Sequence, residues 1–281
     1  MIPRTIHYCW FGRGKKPDLV QFCLNSCREH CAEYEIIEWN EQNFPIENFP
    51  IAATAYEQKK YAFVSDVARA YVLYTYGGVY IDADVEIRRS LDRFLVHTAF
   101  TGFEKRGFPF TAVWGSVTEH KLAQMILDYY AKVDAKAIIG TPNTVFVRDI
   151  LVTHFGVNPD IDELQHCSDG LVVYPSNFFC VNLPENFTTH HFAGTWMERK
   201  SVSHYSNIVL ASFYSNSLKG LAANGIHLSG KRLRPDREIG WEDIEFTGDW
   251  EQLKWHGYHA YDLMRRLLQR RIRRILKQDQ T

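Results

Sequence analysis

Asp82 and Asp84 stand one residue apart at the end of the hydrophobic run Val79-Tyr80-Ile81. A D-x-D pair in that setting suits a divalent cation that holds phosphate. Two hard carboxylates with few other protein ligands select Mg²⁺ or Mn²⁺, which keep coordination positions open for phosphate oxygens. On a fully extended strand both aspartates would fall on one face with Ala83 on the other, so both would reach one ion or its waters. Acidic turns also supply D-x-D by chance, so the surrounding residues decide its meaning.

Ser65 is placed to cap a helix in which Val67, Ala68, Tyr71, Val72 and Thr75 recur at intervals of three and four, the helical period. Gly77-Gly78 then permits a tight left-handed exit, and a short buried strand over Val79 to Ile81 leads into Asp82. The acids therefore sit at a strand's carboxyl end, where open α/β sheets keep their ligand crevices. Asp66 and Arg69, three apart in the first turn of that helix, share a face and can point into the same crevice. Without further context, such an aspartate serves the helix dipole and such an arginine a surface ion pair.

The elements around this unit predict a sandwich of helices and strands. Ile6 to Phe11 reads as a strand, Leu19 to Cys31 as a helix and Tyr34 to Trp39 as a second strand. Further strands are expected over Thr98 to Glu104, Thr111 to Val117 and Leu171 to Tyr174, and a strand or loop over Phe187 to Trp196. Helices are expected over Lys121 to Val133 and from Pro142-Asn143 through Leu151. The β-loop-α-β opening and its repetition indicate α/β architecture with a mostly parallel central sheet. One catalytic domain is expected over 1–224, followed by an extension over 225–281 that is irregular at first. The extension ends in a basic amphipathic helix from Tyr258 to Lys277, which suits an anionic membrane surface and its own domain equally.

The 281 residues are 46% hydrophobic and can bury a large core. A formal net charge of -1 gives no global field for nucleic acid. An aromatic content of 14% supplies faces for sugar rings and bases, although most must be core. The N-terminal stretch breaks its apolar run with Pro3, Arg4 and His7, and no run of 18 apolar residues occurs. The expected location is cytoplasmic, with the inner membrane face as a peripheral site. Six cysteines without C-x-x-C pairs read as reduced thiols. Cys23, Cys27 and Cys31 form a stripe at spacing four that is better explained by packing than by metal or redox chemistry.

The pattern S-D-x-x-R, seven residues, then GGVYIDAD resembles the sugar-nucleotide signature of glycosyltransferase family 32. That family is similar in turn to the catalytic domains of bacterial glucosylating toxins. The opening IPRTIHYCWFG and the segment HHFAGTW at His190 to Trp196 also resemble family motifs, so three ordered motifs cover about the first 200 residues. The resemblance implies a GT-A-like, Rossmann-like single-domain fold with a helical C-terminal tail. It implies that Asp82 and Asp84 hold Mn²⁺ or Mg²⁺ on the diphosphate of a nucleotide-sugar, with UDP favoured over GDP. It further implies that Asp66 and Arg69 contact the donor sugar or phosphate and that Trp10 stacks on the base. Trp196 would reach the β-phosphate or glycosidic oxygen, and Tyr80 would be core or reach the donor. The segment His191 to Gly194 is similar to the one that supplies a third metal ligand in related transferases, which points to His191, with His190 as the alternative. The implied activity is retaining glycosyl transfer to a glycan or lipid-linked glycan in surface polysaccharide synthesis, such as a capsule.

Two rival readings use the same residues. Asp82-Ala83-Asp84-Val85 also fits the D-x-D-x-[TV] pattern of haloacid-dehalogenase-type phosphatases, in which Asp82 would be the nucleophile. That motif usually opens its domain, whereas here about 80 residues precede it. A non-catalytic nucleotide-sugar-binding module would carry the same binding groups.

Overall fold

A central seven-stranded sheet is the frame on which the site is built. The computed structural model describes residues 1–193 apart from 111, 136–138, 140 and 183–185, all within one compact unit that runs Met1–Val209. Trp196, the boundary expected at 224/225 and the C-terminal amphipathic helix lie outside the described residues.

In chain order the elements are β1 (Thr5–Cys9), α1 (Asp18–His30), β2 (Glu35–Trp39), α2 (Pro50–Glu57), α3 (Tyr61–Tyr76), β3 (Gly78–Ile81) and β4 (Val85–Ile87). They continue as β5 (Ala99–Gly102), β6 (Val113–Ser116), α4 (Lys121–Lys132), α5 (Asn143–Phe155), β7 (Gln165–His166), β8 (Leu171–Tyr174), α6 (Ser176–Phe179) and β9 (Thr188–His190). The sheet order is β2-β1-β3-β6-β5-β8-β7, and β4 pairs with β9 in a separate ribbon. Strands β2, β1, β3, β5 and β8 run one way, while β6 and β7 are reversed. The mostly parallel α/β sandwich expected from the sequence is therefore present.

Alternation along the strands sorts the core into two clusters. Tyr80 joins Ala68, Leu73, Ile126 and Leu151 on the face covered by α3, α4 and α5. Val79 and Ile81 join Leu24, Phe94, Phe100 and Phe179 on the other, under α1. Much of the aromatic content is used here: Phe94 sits 4.9 Å from Phe179 and 4.8 Å from Phe187, both edge to face.

Helix α3 begins at Tyr61, four residues before the expected cap. Ser65 instead donates its Oγ hydrogen to the Tyr61 carbonyl at 3.1 Å, a mid-helix bond rather than an N-cap. The early start carries no capping side chain at Lys60, so the usual sequence signal is missing. The exit behaves as expected, with Gly77 at φ 66 and Gly78 at φ 100. The cysteine stripe is packing: Cys23 and Cys27 on α1 and Cys31 at its C-terminal cap are buried, and none of the six cysteines is in a disulfide.

Candidate functional site

Strand β3 carries the chain to the carboxyl edge of the sheet and stops at Ile81. Asp82 stays attached to the sheet through its N–H, which donates to the Ala112 carbonyl at 2.9 Å. The chain then reverses, because the Val85 N–H donates to the Asp82 carbonyl at 3.0 Å. Asp82-Ala83-Asp84-Val85 is therefore a tight turn, not the extended strand on which same-face alternation was expected. Curvature rather than pleat brings the two carboxylates together.

The turn launches β4, and β4 recruits the third group. Strand β9 runs antiparallel to it with Val85 opposite His190 and Ile87 opposite Thr188. Backbone bonds lock the junction: the His191 N–H donates to the Asp84 carbonyl at 3.1 Å and the His190 N–H to the Cys180 carbonyl at 2.9 Å. His190 Nε2 thereby comes to 3.4 Å from Asp84 Oδ1. Asp82, Asp84 and His190 each offer a ligand atom, all within 4.8 Å of one another, and among the described residues no other His, Cys, Asp and Glu group of three or more meets that spacing.

Adjacent residues on a strand face opposite ways, so His191 leaves the ribbon on the side of Glu86. Its Nε2 lies 3.0 Å from Glu86 Oε2, and its ring stands edge to face with the exposed Phe22 at 6.3 Å. Of the two histidines named from the sequence, the structure brings His190 to the aspartates and pairs His191 with Glu86.

A second group of charges enters from the second and third turns of α3. The Arg69 guanidinium reaches Asp66 Oδ1 at 2.9 Å and Asp82 Oδ1 at 3.0 Å. Its carbon lies 4.7 Å from the centre of the Tyr80 ring, and the Tyr80 hydroxyl donates to Asp82 Oδ1 at 3.0 Å. Asp66 also accepts from Asn143 Nδ2 at 2.7 Å. Arg69 Nε has no hydrogen-bond partner among the described residues. A buried donor left unsatisfied at a crevice suits an incoming acceptor oxygen.

Burial sets different electrostatics on the acids. At Asp66 burial dominates, opposed by Arg69 and reinforced by Asp82, and lifts the carboxyl to about 6. Burial also pushes against ionisation of Asp84, but His190 and the Ala193 N–H, which donates at 2.7 Å, hold it down at about 2. Burial likewise opposes protonation of His190, yet the Asp84 carboxylate outweighs it and raises the imidazole well above its ordinary range.

Trp10 follows β1 directly, and β1 lies parallel to β3 with His7 opposite Tyr80, so Trp10 and Asp82 leave the sheet at the same edge. Its indole N–H donates to the Gly14 carbonyl at 2.8 Å, and Lys16 Nζ lies over the ring at 5.8 Å from its centre. Sequence reasoning missed Asn143, Glu86 and the Ala193 N–H. Asn143 carried only a helix-start signal after Pro142, and nothing local announces a partner 77 positions away.

The donor set, two carboxylates and one imidazole, fits Mn²⁺ or Mg²⁺. The side chains of Asp82, Asp84 and His190 are 26, 15 and 12% exposed, dry enough to strengthen electrostatics yet open to a ligand.

Residues 17–101 match the family described as the glycosyltransferase sugar-binding region containing the DXD motif. The chain is 32% identical over 103 residues, 35% of its length, to inositol phosphoceramide mannosyltransferase 3 of Schizosaccharomyces pombe. It spans 29, 39 and 33% of the lengths of that protein and of the inositol phosphoceramide mannosyltransferases 2 and 1 of the same organism. It is 27% identical over 209 residues to an uncharacterized glycosyltransferase of Acanthamoeba polyphaga mimivirus, covering 69% of this chain and 82% of the relative. A solved glycosyltransferase involved in glycosylation of the major capsid of PBCV-1 aligns at 11% identity and a TM-score of 0.38, over 72% of this chain and 98% of that one.

Proposed function

We propose that this chain, whose residues 17–101 match the glycosyltransferase sugar-binding region containing the DXD motif, is a member of that family and transfers a hexose from a nucleotide diphosphate to a hydroxyl of a glycan or lipid-linked glycan. The observation that carries the proposal is the grouping of Asp82, Asp84 and His190 within 4.8 Å at the carboxyl edge of β3, beside the buried Arg69. These three residues would hold Mn²⁺ or Mg²⁺. Such an ion, when bound, stabilises charge on the departing nucleotide diphosphate as a Lewis acid.

The protein's own groups supply the rest. Asp66 is oriented by Arg69 and Asn143 and offers its carboxylate to donor sugar hydroxyls. Arg69, held protonated against its burial by Asp82, Tyr80 and Asp66, directs cationic charge and the unpaired Nε toward the sugar or phosphate. Trp10 offers its ring to the base, and Trp196 is proposed to cover the phosphates. For retention, the acceptor oxygen bonds to the anomeric carbon on the face that the diphosphate oxygen leaves, and its proton passes to that oxygen. The names of the mannosyltransferase relatives direct attention to mannose as the sugar and to an inositol-phosphate lipid as the acceptor. Association with an anionic membrane surface belongs to the same proposal. Among the described residues no helix is long and apolar enough to cross a membrane.

The phosphatase alternative needs Asp82 as a free nucleophile. Its Oδ1 instead accepts from both Arg69 and Tyr80, which lowers its nucleophilicity.

Tryptophan fluorescence with UDP and GDP, with and without Mn²⁺, tests the site, and hydrolysis of UDP-glucose, UDP-galactose and GDP-mannose tests the chemistry. Nucleotide binding that requires Mn²⁺, with slow release of hexose from one donor, is expected. Binding of either nucleotide that is indifferent to metal and unchanged in Asp84→Asn would falsify the metal-bridged site. Binding without turnover of any donor, with or without acceptor, would leave the non-catalytic module as the better reading.

A further inference from the structure

His7 lies in the middle of β1, is fully buried, and has both ring nitrogens engaged. Trp39 Nε1 approaches its Nδ1 at 3.0 Å, and an indole N–H can only donate, so Nδ1 carries no proton. The proton therefore sits on Nε2, which donates to the Gly77 carbonyl at 2.8 Å. One ring thus ties β2, through β1, to the glycine pair where α3 passes into β3. The junction is tight: a Cβ on Gly78 would come within 2.8 Å of His7 Nε2 and 2.7 Å of the Thr5 carbonyl oxygen.

Strand β3 is short, with four residues before Asp82, and it meets β1 at two register pairs, Ile6 with Val79 and His7 with Tyr80. A slip of one residue would turn Tyr80 to the opposite face, away from Arg69 and Asp82. Trp39 also packs against Tyr71 and Tyr76 of α3, the helix that carries Asp66 and Arg69. An aliphatic side chain would fill a dry strand position at less desolvation cost, so packing alone gives no reason for imidazole here.

We infer that His7 is a positioning residue of the cation site: its Nε2–H bond to Gly77, held in that tautomer by Trp39, sets the phase of β3 and hence the placement of Asp82 and Asp84 against Arg69 and His190. The inference rests on the metal role proposed for those aspartates. His7 touches neither the cation nor the donor and acts through the backbone.

Mn²⁺ binding followed by electron paramagnetic resonance, without nucleotide, tests it alongside melting temperature. His7→Leu should weaken Mn²⁺ binding about tenfold, in the range typical of groups that orient metal ligands. Trp39→Phe, which removes one N–H and keeps an aromatic ring, should weaken it about threefold, the worth of one hydrogen bond. His7→Gln, whose amide offers N–H donors and a carbonyl acceptor, should recover part of the loss. Folded variants that bind Mn²⁺ as the wild type does, whatever their melting temperatures, overturn the inference. A wild type that binds no Mn²⁺ rejects the cation site and this inference with it. Should His7→Leu fail to fold, Trp39→Phe and the tautomer decide: nitrogen-correlated NMR of the wild type is expected to show His7 protonated at Nε2, and protonation at Nδ1 overturns the inference.

Discussion

The two aspartates of one tripeptide occupy opposite electrostatic settings. Asp82 faces α3, where Arg69 and the Tyr80 hydroxyl both reach a single oxygen, Oδ1. Asp84 faces the β4–β9 ribbon, where a histidine and a backbone N–H meet its two oxygens. The first side is preassembled by one helix and the strand that follows it. The second depends on a strand more than a hundred positions further along the chain. The α3 half is thus built for a fixed cationic contact, and the ribbon half for an exchangeable one: the His190 imidazolium in the metal-free protein, or a metal ion that displaces its proton.

The largest expected effect is on the ribbon side. Asp84→Asn should lower kcat/KM for donor hydrolysis about a thousandfold, roughly 4 kcal/mol of transition-state stabilisation. Above pH 4 the metal-free variant should melt a few degrees lower, because ionised Asp84 adds stability there, and a variant unfolded at the assay temperature would show Asp84 to be structural instead. On the other side, Arg69→Gln strips Asp66 and Asp82 of their buried counter-charge. Urea unfolding of the metal-free protein should register a loss of about 3 kcal/mol. A loss under 1 kcal/mol would mean that this half is not preassembled.

Next comes the pair of histidines. His190→Ala should weaken Mn²⁺ binding about a hundredfold by titration calorimetry, while His191→Ala changes it less than about threefold. The reverse ranking would transfer the ligand role to His191 and to a rearranged ribbon. A smaller effect is expected for Asn143→Ala, about 1 kcal/mol of stability, since it removes one hydrogen bond to Asp66 and leaves Arg69 in place. No change in either stability or donor KM would show that contact to be dispensable.

The comparison also predicts opposite pH behaviour in the metal-free protein. Asp66, raised to about 6 in the folded state, binds its proton more tightly there than in the unfolded chain. Its contribution is complete below about 4 and is lost as pH rises through 6. Asp84, depressed to about 2, contributes stability above about 4 and loses it as pH falls toward 2. Melting curves in chelator should therefore show the wild type losing ground to Asp66→Asn between pH 4 and 6. The same comparison with Asp84→Asn should show the wild type losing its advantage only below pH 4. Parallel curves would mean that the two carboxyls share one environment.

How much of this was legible in advance follows the range of the interactions. The α3–Gly-Gly–β3 unit, the edge position of Asp82 and the approach of Asp66 and Arg69 are consequences of periodicity within about 25 residues, and all are present in the structure. The start of α3 was misplaced because Lys60 gives no cap, and Ser65, a good cap by type, bonds backward to Tyr61 instead. The D-x-D pair was placed on an extended strand because Val79 to Ile81 reads as one. The turn forms because Asp82 is the last residue to hold the sheet and its carbonyl is taken by Val85. The Glu86–His191 and Asn143–Asp66 contacts each join residues too far apart in sequence for any local pattern to report them.

From composition, spacing and motif alone, then, came the α/β class, the D-x-D carboxylates at a strand's end and the helix face that carries Asp66 and Arg69. Those properties arise from backbone propensity and periodicity, which act over a few turns of chain. The identity of the histidine beside the aspartates was decided by the tertiary structure. Side chains alternate along a strand, so the register Val85 to His190 sends one histidine to Asp84 and its neighbour to Glu86. That register depends on where the chain returns after a hundred residues of sheet and helix, and two adjacent histidines carry no local mark of which face will be inward.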